Sequence, residues 1–240
     1  MPTPYRLEFR TRLDDPAAQR EAIDAGFRRE GIARGAGPNR EDLIMWARLA
    51  DDPEGPSPRA LPDLPGGELT DGVIRVRPLH PDDLDGYYEL RSLPEVVASS
   101  VPPVAPPRDE VERHFAYAEG RWLAGEAAAM SVVDARSGLF AGQIALYYFQ
   151  PHHREGMLGF GVLPAFRGRG YARRAVELVT RWALHEARLA RVVAGAAADN
   201  LASQKTLQAA GFELECRQLG MLPAPGGGRI DAVLYVRRRL

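Results

Sequence analysis

The stretch GFGVLPAFRGRGYARRAV, residues 159–176, has the spacing richest in chemistry. An extended apolar segment ends at Leu163-Pro164, a loop carries Arg167, Gly168, Arg169 and Gly170, and helical periodicity starts at once. A loop that runs straight into a helix leaves several backbone N–H groups unpaired. They point outward with the positive end of the helix dipole and form an anion site. Glycine at 168 and 170 permits unusual φ/ψ and removes the Cβ atoms that would block a pyrophosphate. Arg167 and Arg169 add charge at the rim. Taken alone, such a loop reads equally well as a tight structural turn. Its glycine spacing is not that of the dinucleotide-binding fingerprint, and no Gly-Lys-Ser/Thr follows to make a Walker loop.

The elements around the loop can be read from periodicity. GVIRVRPL (72–79) alternates as a strand, Pro81 to Leu93 reads as a short helix, and Val111, Phe115, Ala118 and Trp122 mark an amphipathic helix over 108–124. SVVDA and LFAGQIALYYF are strands joined by a turn at Arg136-Ser137-Gly138, and GMLGFGV (156–162) is a glycine-rich strand. The clearest helix runs from Arg169 to Ala187, where Ala172, Ala175, Val176, Val179, Trp182 and Ala183 form one stripe. Strand RVVAGAA, a helix over 200–210 stopped by Gly211, and strands Phe212–Leu219 and Ile230–Arg237 complete the chain. This order predicts an α+β fold, a mixed and mostly antiparallel sheet flanked by helices.

The N-terminus echoes the C-terminus. DPAAQREAIDAGFRRE shifted by 185 falls on NLASQKTLQAAGFELE, with Gln19 on Gln204, Gly26 on Gly211, Phe27 on Phe212 and Glu30 on Glu215. Four extra residues in the later loop bring Arg40 and Asp42 onto Arg229 and Asp231. The expected division is a degenerate β-α-β-β half-domain at 1–52, a Pro/Gly-rich linker at 53–71 and the main domain at 72–240. A half-domain of this size buries little core and is expected to pack on the main domain or on a second chain.

The motifs resemble those of the GNAT superfamily of acyl-CoA-dependent N-acetyltransferases. Arg167-Gly-Arg-Gly170-Tyr-Ala matches its Arg/Gln-x-x-Gly-x-Gly/Ala pattern, Val162-x-Pro164 lies just upstream, and Asn200-Leu-Ala-Ser203 with Ala210-Gly211-Phe212 matches a downstream block. The likeness covers about residues 72–238 and is greatest to the ribosomal-protein alanine N-acetyltransferases. It implies a GNAT fold, acetyl-CoA as cosubstrate, no metal, and a primary amine as acceptor, either a peptide N-terminus or a small molecule. It further implies that Phe160, Gly161 and Val162 meet the pantetheine arm and that N–H groups of Arg167, Gly168, Arg169, Gly170, Tyr171 and Ala172 hold the pyrophosphate. A strand N–H near Val162 would polarise the thioester, and Asn200 would contact the cofactor. Ser203 is the expected proton donor to the departing thiolate.

The chain departs from the family at two places. Met157 stands where many members carry a glutamate base, and Leu207 where many carry a tyrosine acid. Glu155, two residues before Met157, is the alternative base, or else a solvated charge. These departures keep open a second reading, a non-catalytic acyl-CoA-binding or regulatory module.

Composition narrows the partners. A net charge of −1 without a basic stripe argues against nucleic acid. One cysteine, Cys216, excludes an intramolecular disulfide and is read as a small buried hydrophobe. No apolar run reaches the ~18 residues of a membrane span, and MPTPYRLEFR lacks a signal-peptide core, so a cytoplasmic location is expected. Of 31 basic residues only Lys205 is lysine, a bias without functional content.

Overall fold

The computed structural model describes residues 5–224 and 227–239, so the ends of the expected 1–52 and 72–240 segments, and Pro225-Gly226, lie outside the described residues. Strand β1 (Arg6–Arg12), helix α1 (Pro16–Asp24), β2 (Arg28–Ala33) and β3 (Leu43–Leu49) come first. They form a separate three-stranded antiparallel sheet in the order β1-β3-β2. Strands β4 (Leu69–Thr70) and β5 (Ile74–Pro78) follow, then helices α2 (Leu84–Ser92), α3 (Pro94–Ala98) and α4 (Arg108–Leu123). Next are β6 (Ala127–Asp134), β7 (Phe140–Gln150), β8 (Glu155–Val162), α5 (Tyr171–His185), β9 (Arg191–Ala197), α6 (Leu201–Ala209), β10 (Glu213–Pro223) and β11 (Arg229–Arg238).

The main sheet has eight strands in the order β10-β11-β9-β8-β7-β6-β5-β4. Every pair is antiparallel except β8 with β9. That parallel pairing runs only from Glu155↔Arg191 to Leu158↔Ala194. Beyond it, β8 stays with β7 to Val162↔Gly142 and β9 stays with β11 to Ala197↔Ala232. The two strands therefore part in the middle of the sheet.

Helix α5 lies on this sheet because Ala175, Val176, Val179, Trp182 and Ala183 recur on one face, and all five are buried. Trp182 meets Trp122 of α4 edge-on at 5.7 Å. Three sequence expectations change. The segment 53–71 is not a free tether: Leu61 and Leu64 are buried in the main core, and Trp122 Nε1 donates to the Pro62 carbonyl at 3.0 Å. Its prolines and glycines masked two apolar residues that the core recruits. Strand β6 begins at Ala127 rather than Ser131, because Ala127–Val133 are buried on both faces and so show no alternation. Cys216 is exposed on edge strand β10, not buried.

The two ends of the chain match in detail. The sheets β1-β3-β2 and β9-β11-β10 share strand order and direction, and β2 and β10 slip register at Arg29/Gly31 and Leu214/Cys216, positions 185 apart. Asp15 caps α1 at the Ala18 N–H as Asn200 caps α6 at the Ser203 N–H. The Gln19 amide donates to the Arg12 and Leu13 carbonyls, and that of Gln204 to those of Ala197 and Ala198. Arg6–Glu30 and Arg191–Glu215 are both 2.5 Å ion pairs. Arg48 donates to Ala25 C=O, and Arg237 to Ala210 C=O, at 2.8 Å each.

The small sheet is docked on α4. Its core of Ala22, Ile23, Ile44 and Trp46 includes Leu123 of α4. Arg20 pairs with Glu119 and Arg29 with Glu126 across the contact. Gly120 allows the close approach: a Cβ there would lie 2.9 Å from Gln19 Oε1 and 3.1 Å from the Leu13 carbonyl oxygen. Gly120→Val should wedge the two apart and cost about 1–3 kcal/mol, seen as a lower midpoint in urea. An unchanged midpoint would show that the contact gives way freely.

Helix α4 also carries His114, stacked on Tyr87 at 5.5 Å with its Nε2 buried and without a partner among the described residues. Burial, with Arg121 and Arg91 nearby, pushes the imidazole down to about 4. The unfolded chain then binds the proton more readily than the folded one. Stability is full above the ordinary value of about 6.5 and falls as pH drops toward about 4, by roughly 3 kcal/mol. A His114→Phe chain should lose less stability than the parent between pH 7 and pH 4.5. Equal losses would refute this.

Candidate active site

The parting of β8 from β9 opens backbone groups to a ligand. The Leu163 N–H bonds to the Ala141 carbonyl at 2.8 Å, so Leu163 and Gly161 face β7. By alternation, the backbone groups of Phe160 and Val162 face the gap that β9 vacates. Gly142, opposite Val162, keeps the far side tight: a Cβ there would stand 2.3 Å from the Gly161 carbonyl oxygen.

At the end of β8 the chain turns through Pro164–Phe166 into the loop before α5. Gly168 and Gly170 hold φ of 73° and 78°, in the left-handed region, and a Cβ on either would meet no atom within 4 Å. Gly170 is the N-cap of α5 and has no side chain to satisfy the first-turn N–H groups, which are left for a ligand. Arg167 donates through Nε to the Val162 carbonyl at 3.0 Å and pairs with Glu95 of α3 at 2.8 Å. Arg169 lies over the Phe166 ring at 5.7 Å.

These features border one cavity of about 780 Å³. Phe160, Gly161, Val162, Arg167, Gly168, Gly170, Tyr171 and Ala172 line it from the β8–α5 side, and Asn200 and Ser203 from α6. Asn200 Oδ1 accepts the Ser203 N–H at 3.1 Å, so the serine backbone is satisfied while its hydroxyl has no hydrogen-bond partner among the described residues. Arg169 alone of the loop's expected residues is absent from the lining.

Glu155 is not brought to the cavity. It opens β8 at the paired end of the strand, and Arg191 Nε holds its carboxylate at 2.7 Å. Spacing put Glu155 on the same face of β8 as Met157 but could not show its cross-strand partner. Met157 is exposed and Leu207 fully buried, and neither side chain carries a proton to give or take, so neither stands in for the base or the acid. His152 and His153 are exposed in the turn before β8, and Lys205 is exposed on α6. Tyr148 packs on the main core and Tyr147 on the Ala118–Ala129–Ala145 cluster, and neither lines the cavity. The cavity also has walls that sequence reading missed: Glu95 and Val96 of α3, Ser99–Val101, and Leu222, Pro223 and Ile230 of the β10–β11 hairpin. Among the described residues no cluster of three or more metal-ligating side chains occurs, and no helix is long and apolar enough to cross a membrane.

The family described as "Acetyltransferase (GNAT) domain" matches residues 74–213. Among solved structures, spermidine N-acetyltransferase from Vibrio cholerae, in complex with CoA and spermine, is similar at 17% identity, with a TM-score of 0.61 over 70% of this chain and 96% of that one. RimJ from Mycobacterium smegmatis, in complex with CoA-disulfide, is 18% identical with a TM-score of 0.61 over 72% of this chain and 86% of that one. The ribosomal L7/L12 α-N-protein acetyltransferase RimL, in complex with CoA, is 17% identical with a TM-score of 0.62 over 69% of this chain and 94% of that one. No curated protein matches the chain in sequence.

Proposed function

The chain belongs to the GNAT acetyltransferase family, and from that premise we propose that it transfers an acetyl group from acetyl-CoA to a primary amine, by direct attack within a ternary complex. The observation that carries the reading is the single cavity joining the parted β8 edge, the glycine loop at the α5 N-terminus and Ser203. The cofactor fits what is present: the open space beside Gly168 and Gly170 suits phosphate oxygens, and the gap beside Phe160 and Val162 suits an amide-bearing arm.

Acetyl-CoA supplies the acyl group as an activated thioester. In the 167–172 loop the Arg167 N–H is taken by the Pro164 carbonyl at 3.2 Å, so the backbone N–H groups of residues 168–172 hold the pyrophosphate, and the Val162 N–H steadies the oxyanion as the amine adds. The C–N bond forms, the C–S bond breaks, the amine nitrogen loses a proton, and Ser203 Oγ–H donates one to the thiolate, drawing a replacement from water. With Glu155 held by Arg191, the amine proton passes to solvent. Positioning of the two reactants carries most of the rate.

The acceptor belongs to one of two groups, peptide N-termini or small-molecule amines. An untargeted screen with labelled acetyl-CoA, read as labelled amide and released thiol, decides the reading. Turnover on an amine supports it. Binding of CoA without turnover on any amine would favour a non-catalytic acyl-CoA-binding module instead.

The same reading extends to the domain organisation. Residues 1–52 are a degenerate copy of the C-terminal half of the fold, 53–71 the connection, and 72–240 the catalytic domain. The matched strand order, register slip, caps and ion pairs support the duplication. The copy has no counterpart of the 167–172 loop, so it binds no CoA. It also borrows Leu123 for its core, so a 1–52 fragment should be unfolded by circular dichroism. A cooperative melt of that fragment would make it an independent module.

A further inference from the structure

The loop that faces the cavity is tied to the sheet by a residue outside it. Tyr171 is the first residue of α5, directly after the Gly170 cap, and its ring is buried. Its hydroxyl donates to Asp134 Oδ2, on the last residue of β6. Asp134 is itself held: its Oδ1 accepts the Ser137 N–H at 2.6 Å and the Ser137 hydroxyl at 2.7 Å, both in the β6–β7 turn. The Tyr171 ring also touches Phe166 at 5.6 Å, on the other side of the loop. One phenol thus joins the rigid end of a central strand to the residue whose neighbours carry the free N–H groups.

We propose that Asp134 is a positioning residue for cofactor phosphate binding, acting through the Tyr171 hydroxyl to fix the direction of the N–H groups at the start of α5. Asp134 does not line the cavity and would touch no ligand. A carboxylate near an anion site would repel the anion if its charge were free. Here three donors, the Ser137 N–H, the Ser137 hydroxyl and the Tyr171 hydroxyl, absorb it. Those bonds hold the Asp134 carboxyl down to about 2, led by Tyr171, while Asp134 and burial raise the Tyr171 phenol. The donor therefore stays protonated and the acceptor ionised across the physiological range. The tie also fixes the ring that walls the cavity beside Gly170. Short loops with left-handed glycines are free to swing their N–H groups unless something outside the loop holds them, and preorganised donors bind better than donors that must be ordered on binding.

The inference rests on the reading that residues 168–172 hold the pyrophosphate, and the test separates the two. Two ligands are compared in the full chain: acetyl-CoA, and S-acetylpantetheine, which shares the thioester arm but has no phosphate. Asp134→Asn should raise the KM for acetyl-CoA about tenfold with kcat within about twofold of the parent, since the lost bond is a charge-assisted one, and Tyr171→Phe should raise that KM to the same extent. Asp134→Asn should not alter kcat/KM for S-acetylpantetheine by more than about twofold, because that ligand has no phosphate for the loop to hold. The double variant should be no worse than either single one. A general loss of folding would instead depress both ligands together, and circular dichroism at the assay temperature checks for it. Asp134→Glu, which keeps the acceptor, should recover part of the loss. The proposal is overturned if either single variant keeps the parent KM for acetyl-CoA, if both ligands lose equally in folded protein, or if the two effects add. If Gly170→Glu also leaves acetyl-CoA binding unchanged, the phosphate site itself has been misplaced. If Gly170→Glu abolishes binding while Asp134→Asn does nothing, only the positioning role fails.

Discussion

Ser203→Ala is expected to lower turnover by about 100-fold or more, the usual cost of losing a positioned proton donor, with little change in CoA affinity. The serine lies one turn into α6, on the wall of the cavity that the parted strands open. Its backbone N–H is already used by Asn200 Oδ1 at 3.1 Å, which fixes the start of the helix and hence the serine Cα. Its hydroxyl has no hydrogen-bond partner among the described residues, so alanine leaves no buried group unsatisfied and should fold normally. The change is thus confined to the hydroxyl proton, and a CoA melting shift equal to that of the parent would confirm an intact cofactor site. Released thiol, measured under saturating acetyl-CoA and amine, reads the chemical step. Full turnover in the variant would leave protonation of the thiolate to water. Cysteine at the same position should restore part of the rate if a proton donor is what matters.

The parts of this molecule that were legible in sequence are those set by local rules. The α5 stripe, the glycine loop and the helix over 200–210 stopped by Gly211 each follow from spacing within a dozen residues, and each appears where the spacing puts it. The strands of the small N-terminal sheet were legible for the same reason, because its residues echo a segment whose elements were already clear. What escaped was set by distant partners. Glu155 looked available until Arg191, 36 residues later, paired with it across a parallel contact that no local pattern announces. Leu61 and Leu64 were hidden among prolines, yet the core takes them. Strand β6 opens with three alanines, which carry neither alternation nor strand propensity, and only burial between two layers makes them extended. The roof of the cavity, from α3 and the β10–β11 hairpin, joins segments over 100 residues apart whose side chains follow no shared motif. Tyr171 and Asp134 belong to this second class, and so does the role inferred for them.

Gly170→Glu should weaken CoA binding by at least tenfold, because a bond from a neutral donor to a charged group is worth ~1.5–3 kcal/mol and several are lost together. Gly170 caps α5 with φ of 78°, and a side chain there would project into open space rather than into protein. That space is where the reading places phosphate oxygens. The glutamate adds a negative charge at the positive end of the helix dipole, where it competes with the phosphates for the same N–H groups. Two effects are then superposed: the strain of a non-glycine residue in the left-handed region, about 1–2 kcal/mol, and the electrostatic block. Gly170→Ala carries the first without the second, so it should lose stability but keep most of its CoA affinity. The charge effect is screened by salt while the strain is not. Calorimetric titration with CoA at low and high ionic strength therefore gives a specific pattern. The deficit of the glutamate variant should shrink as salt is raised, and that of the alanine variant should stay fixed. Parent-like affinity in a folded glutamate variant would move the phosphate site away from the α5 N-terminus.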